Sequence, residues 1–319
     1  MTGQVHMIGE LAALAAAMGW AGSVVLSKPM TARLSAGAIQ ATYLWVAALV
    51  SLVLALALGK LDDAFRGPPL ATTFLVAGPM LGALGDFLLI KAIATAAVGR
   101  LMTVMTSLFV LFTALGSVFL LGESLAVKDW IGGVLILAGV FAANITATPR
   151  GVVTDRAKPN ARLAWAKRSP LRRRLLEGAV GGARPIILPA LVGILWAASL
   201  LMWDVGLDDV DPVAAVAIGN LTPGILCAGL AVFMRSVRPA AINKRHVAIL
   251  AAAGVLYATA VISSIFAVDI AHAGLTSILV SSAPLFAIPL SVIFLKERFS
   301  VFAAIGMTLC LAGVVAVVV

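Results

Sequence analysis

The residue best placed to do chemistry in this chain is Asp86, which lies inside an apolar stretch on a stripe of small residues formed by Gly78, Gly82 and Gly85. An ionisable group in such a stretch costs roughly 2.5–3.5 kcal/mol on insertion scales, so it is a functional candidate by default. Asp86 could bind a proton or a cationic substrate in alternation, and the glycines let a helix or a substrate approach closely. Lys91 lies about 140° around the helix from Asp86 and either faces an anionic substrate or snorkels to the interface. Glu10, near the start of the first apolar stretch, is a helix cap or a second proton-coupling group.

Aromatic and hydroxyl side chains extend this set. Trp20, Trp45 and Trp196 fall near the middle of apolar stretches, away from the interfacial belt where tryptophan collects, and together with Tyr43 and Tyr257 they could wall a cavity. Ser23 and Ser199 stand three positions after Trp20 and Trp196. Pro79 in the first half, and Pro223, Pro284 and Pro289 in the second, interrupt apolar stretches. The three in the second half free the carbonyls of Gly219, Val280 and Leu285. Asn220, Thr222, Ser281 and Ser282 beside these breaks could read or gate a substrate. The substrate-binding candidates are therefore Trp20, Ser23, Tyr43, Asp86, Lys91, Trp196, Ser199, Asn220, Thr222, Tyr257 and Ser281, with Asp86 and Glu10 as coupling candidates.

Other chemistry has no sequence support. His6, His246 and His272 show no HxxxH or HExxH spacing, and Cys227 and Cys310 are lone residues in apolar stretches. A metal centre, a disulfide framework or a bound cofactor is therefore not expected. The lack of a GxxxxGK[ST] loop removes direct ATP hydrolysis.

The elements that must hold these residues follow from composition. The 319 residues are 62% hydrophobic and 12% charged, with a mean hydropathy of +1.10. A soluble fold cannot bury that much apolar surface, whereas helical spans of about 20 residues suit a bilayer. Ten spans are predicted, at 7–27, 37–58, 71–94, 99–121 and 129–147, then 186–206, 212–234, 247–269, 274–295 and 300–318. A β-barrel is excluded because runs such as that from Val134 to Val140 lack period-two alternation. The net charge of +9 resides in short loops, which argues against nucleic-acid binding.

Residues 148–185 form the one clear linker, with ten lysines and arginines from Arg150 to Arg184. It reads as a solvated basic loop, with a short surface helix after Ser169-Pro170 facing anionic lipid headgroups as the alternative. Lysines and arginines collect on the linker's side of the spans, while Asp62, Asp63, Asp208, Asp209 and Asp211 collect on the other. The linker is accordingly expected in the cytoplasm and both termini outside, in the cell inner membrane.

An internal repeat organises the whole chain. FLLGESLAVKDWIGGVLILAGV and IFLKERFSVFAAIGMTLCLAGV place Glu123, Gly132 and Gly139 in register with Glu297, Gly306 and Gly313, and GWAGSVV matches LWAASLL through Trp20 and Trp196. Residues 1–147 and 186–319 are thus two copies of a five-helix unit. Five is odd, so the second copy enters the membrane inverted, an architecture common in secondary transporters.

With the WAxS pattern of each first span, Gly85-Asp86 followed by Ala92, and the paired Glu then Gly-x6-Gly endings, the chain resembles the 10-span EamA-like branch of the drug/metabolite transporter superfamily. The resemblance covers nearly all of it apart from the linker. It implies transport of a small metabolite or drug-like molecule, coupled to protons or by exchange, with the first four spans of each half lining the pathway and the fifth and tenth supporting. Val110 stands where the family's usual first-half proline would fall, opposite Pro284. The expectation is an all-α integral membrane protein of two inverted repeats that is not an enzyme. A membrane-embedded sensor or lipid-modifying protein on the same body is the rival; its catalytic form would need a cluster of acid, base or metal groups that the sequence does not display.

Overall fold

The computed structural model describes residues 2–32, 34–65, 67–93, 98–144, 184–233, 244–295 and 301–318. Within them lie ten α-helices: α1 (Thr2–Ser27), α2 (Ala36–Ala57), α3 (Pro69–Ile93), α4 (Val98–Leu120), α5 (Val127–Asn144), α6 (Arg184–Leu207), α7 (Pro212–Phe233), α8 (Lys244–Val280), α9 (Ala283–Leu295) and α10 (Val301–Val318). The fold is all-α among the described residues, with the helices falling into two units of five. Five helical segments, 7–32, 36–57, 69–93, 187–207 and 244–280, are long and apolar enough to cross a membrane.

Local chemistry sets the helix ends. Ser35 Oγ accepts from the Ala38 N–H at 3.2 Å and Asp211 Oδ1 from the Val213 N–H at 2.9 Å, capping α2 and α7. Asp211 stands directly before Pro212, whose missing N–H costs nothing at the first helical position. Gly59 and Gly122 end α2 and α4 at φ +66° and +73°, where a Cβ would be strained.

Spans eight and nine differ from the sequence expectation. They run into one another as α8, which bends at His272 (φ 61°, ψ 170°), and span nine breaks at Ser281 and Ser282 before α9. His272 is the one non-glycine at positive φ among the described residues. The basic linker falls almost wholly outside the described residues, as do Glu297 and the expected surface helix after Ser169.

Packing follows the internal repeat. In the span numbering, α1 packs on α8 as α6 packs on α3, α1 meets α9 as α6 meets α4, and α2 meets α7 and α5 meets α10. Exchanging the two five-helix units maps each contact onto another, as a pseudo-two-fold axis requires. Lys60, after α2, lies 3.0 Å from Asp211, before α7. Those two loops therefore share one end of the bundle, as an odd number of crossings per repeat demands.

Glycine allows the closest of these contacts. A Cβ at Gly139 would stand 2.6 Å from the Gly306 carbonyl oxygen, and one at Gly313 2.7 Å from the Gly132 carbonyl oxygen. The glycines that reveal the repeat are thus the seam between α5 and α10. Leu49, Val53, Phe119, Val134 and Phe141 face outward, the surface a bilayer would cover.

Candidate functional site

Asp86 is buried between the repeats, 5% exposed. Its Oδ1 accepts the Trp196 indole N–H at 3.0 Å and its Oδ2 the Tyr257 hydroxyl at 2.8 Å. Helix α3 of the first repeat supplies the carboxyl, and α6 and α8 of the second supply the two donors. The small-residue stripe makes this approach possible. A Cβ at Gly85 would lie 2.7 Å from the Trp196 ring, and one at Gly82 would lie 2.8 Å from Ser199 Oγ. Gly78 faces the Ser199 carbonyl and Met202 in the same way, so in this conformation the groove holds α6.

A cluster of aromatic rings leads away from the carboxyl through Trp196 and Tyr257. Trp20 lies 5.6 Å from Trp196 and edge-on to Tyr257 at 5.1 Å, centroid to centroid, and Tyr43 lies 5.4 Å from Tyr257. Phe109 meets Trp196 edge-on at 6.2 Å. These spacings are ordinary for paired rings, so the box is closed on itself. Tyr43 donates its hydroxyl to the Ser23 carbonyl at 3.2 Å, tying α2 to α1.

Gln40 completes the arrangement and was not singled out from the sequence. It has no exposed surface, its carboxamide faces Asp86, and neither its nitrogen nor its oxygen makes a hydrogen bond of good geometry. Buried amides are normally paired. A glutamine in an apolar span carries no local signal of what it will face; only its burial beside a carboxyl marks it.

The remaining candidates are placed elsewhere or are locally occupied. Ser23 donates to the Trp20 carbonyl of its own helix at 2.9 Å, Ser281, in the break after α8, to the Ser277 carbonyl at 2.7 Å, and Thr222 to the Ile218 carbonyl at 3.1 Å. Asn220 donates to Ser51 Oγ at 2.9 Å, a buried link between α7 and α2. Lys91 is exposed, its Nζ 4.2 Å from the Phe87 ring centroid, and Trp45 is 38% exposed.

Glu10 lines a cavity of about 920 Å³ at the end of the bundle that carries the acidic loops. The start of span one, the α4–α5 and α6–α7 loops, the bend at His272 and Val318 all contribute. All lie on one face if the chain crosses ten times. Trp20, Trp196 and Tyr257 do not line it, and the ten residues from Glu10 to Trp20 correspond to about 15 Å of helix. The cavity is a vestibule-like recess whose lining does not include those rings.

Folding brings three residues together in its wall without any spacing motif. Glu123 Oε2 accepts the Gly274 N–H at 3.1 Å, while its Oε1 is buried with no donor. Asp204 lies against Glu123, and His272 Nδ1 is 3.8 Å from Asp204 Oδ1. The ligating atoms of the three fall within 4.8 Å of one another, a grouping able to hold a proton or a small cation. At the same end, outside the spans, Lys60 is held above the usual lysine range by its hydrogen bond to Asp211, then by the charges of Asp211 and Asp63.

Comparison with known proteins agrees with this architecture. A solved structure described as "Crystal structure of protein" is similar over 97% of each chain at 19% identity, with a TM-score of 0.70, which supports the fold. No curated protein matches. The model of the EamA-like transporter family matches residues 7–145 and 183–319, one match on each five-helix unit that the glycines and tryptophans had outlined. The chain belongs to the EamA-like transporter family.

Proposed function

We propose that the protein is a secondary transporter that carries a small metabolite or drug-like molecule across the cytoplasmic membrane by alternating access, with Asp86 as its coupling group. The observation that carries this reading is the junction at Asp86: a buried carboxyl of one repeat hydrogen-bonded by Trp196 and Tyr257 of the other. Any rocking of one repeat against the other changes those bonds. Occupancy of Asp86 by a proton or a substrate is thereby linked to which side is open.

The vestibule above the box and the closed rings below it support an access path interrupted at the middle of the bundle. By the charge bias, the linker lies in the cytoplasm and the vestibule on the opposite side. Hydrolytic or group-transfer chemistry is not part of this reading, since family membership points to transport.

The test is flux into proteoliposomes containing the purified chain, across amino acids, nucleobases, sugar phosphates and organic amines, with and without an imposed pH gradient. Saturable, gradient-dependent flux is the expected result. Gradient-independent flux would remove proton coupling and leave exchange, and no flux from folded protein would count against the carrier reading.

A further inference from the structure

We propose that the site at Asp86 takes molecules bearing a positively charged amine, with the charge held against the carboxylate among the aromatic rings and a second polar group read by Gln40. This rests on the carrier reading above and narrows it to a substrate class.

Charge balance is the first argument. Asp86 is 5% exposed, and its two hydrogen-bond donors, an indole and a phenol, are neutral. Among the described residues no lysine, arginine or histidine pairs with it. A buried carboxylate without a counter-charge is costly to maintain. Either a proton or a cation can neutralise it, so the two compete for the site. An anionic or neutral substrate would leave that charge uncompensated.

The walls give the second argument. Trp20, Trp196, Tyr43 and Tyr257 form a run of contacting rings, two of which, Trp196 and Tyr257, reach the carboxyl through their polar edges, so that a guest parting the rings would meet their faces. Their negative faces favour an ammonium over a neutral group of the same shape, most strongly where water is excluded. In the closed state the rings touch one another, and a guest enters by parting them.

Gln40 is the third and independent argument. Its carboxamide has no exposed surface and faces Asp86, and neither polar atom makes a hydrogen bond of good geometry. A guest with a carbonyl or hydroxyl one or two atoms from its amine would satisfy it. The route to the site has the same preference: Glu123, Asp129, Asp204 and Asp208 line the vestibule, with Lys128 against them. Such a lining concentrates cations at its mouth.

The experiment is calorimetric titration of the full chain in detergent with a charge series of one shape: phenethylammonium, 2-phenylethanol and 3-phenylpropionate. Phenylalaninamide is added as an amine that carries a second polar group. Phenethylammonium is expected to bind at least about tenfold more tightly than the alcohol or the anion. Titration in buffers of different ionisation heat should show proton release that grows as pH falls and the empty site takes up a proton. Asp86→Asn should remove the preference, and Gln40→Leu should weaken phenylalaninamide by a larger factor than phenethylammonium. Equal binding across the series, preference for the anion, or no binding of the ammonium at millimolar concentration would overturn the proposal on wild-type protein alone, whether or not Asp86→Asn folds. Saturable flux of the anion in proteoliposomes would overturn the amine assignment and leave the carrier reading intact. Tight amine binding with no flux of any probe would count against the carrier reading instead.

Discussion

The indole N–H of Trp196 reaches Asp86 at 3.0 Å across the boundary between two repeats, 110 residues apart in sequence. Gly85 and Gly82 make room for it, because α6 packs where their side chains would be. Trp20 stands at the matching place in the first repeat, and its ring faces Trp196 at 5.6 Å. The WAxS pattern of the first spans therefore supplies two tryptophans, one from each repeat, that meet each other.

Removing one donor should separate function from folding. Trp196→Phe keeps most of the packing and deletes one hydrogen bond to the carboxyl, worth about 1–3 kcal/mol. Flux should fall by about tenfold or more, while circular dichroism and gel filtration stay as in the wild type. Tyr257→Phe should behave alike, since it removes the other donor. Wild-type flux in both variants would detach Asp86 from transport.

Gly139→Ala should destabilise the protein far from the site. The added Cβ would meet the Gly306 carbonyl and the Cys310 backbone at 2.6 Å, and backbone cannot swing aside. Overpacking of this kind costs about 1–3 kcal/mol. Thermal unfolding in detergent should show a clearly lowered midpoint, with substrate affinity of the folded fraction unchanged. An unshifted midpoint would contradict the close contact between α5 and α10.

Much of this was legible from local pattern. The repeat declared itself because glycines at a fixed spacing are the residues that two crossing helices need, and Asp86 because a charge in an apolar span must have a reason. What was hidden depends on distance along the chain. Tyr257 was a candidate wall, but its bond to an aspartate 171 residues away leaves no trace in either segment. The meeting of Glu123, Asp204 and His272 is of the same kind. The hydroxyls beside the prolines stand as candidate substrate readers, and here Ser281 and Thr222 bond to carbonyls four residues back, a local option open to serine and threonine in and beside helices that run through apolar surroundings.

Glu123 should be separable into charge and hydrogen bond. Glu123→Gln retains an acceptor for the Gly274 N–H and relieves the crowding of carboxylates with Asp204, so thermal stability should hold or rise. Glu123→Ala leaves the Gly274 N–H without its acceptor and should lower stability by about 1–3 kcal/mol. A lower midpoint for the glutamine variant than for the alanine variant would contradict the arrangement.

The Lys60 contact carries a defined pH sign. Asp211 raises the lysine above its ordinary value, so the contribution is fully present at neutral pH and is lost only as pH climbs through the raised value. Both partners are partly exposed, so the effect is small and screened by salt. Lys60→Ala should leave the unfolding midpoint at pH 7 within scatter in 0.5 M salt, where the screening length is about 4–5 Å. A large loss there would mean that the loop contact matters more than its geometry implies.

The most direct test of the central claim is substrate flux in proteoliposomes under an imposed pH gradient, comparing wild type with Asp86→Asn in matched amounts of folded protein. Asp86 as the coupling group predicts that the variant loses gradient-driven accumulation by about tenfold or more. Accumulation at wild-type rate, with wild-type pH dependence, would show that coupling resides elsewhere and that the carboxyl between the two repeats is only a structural bond.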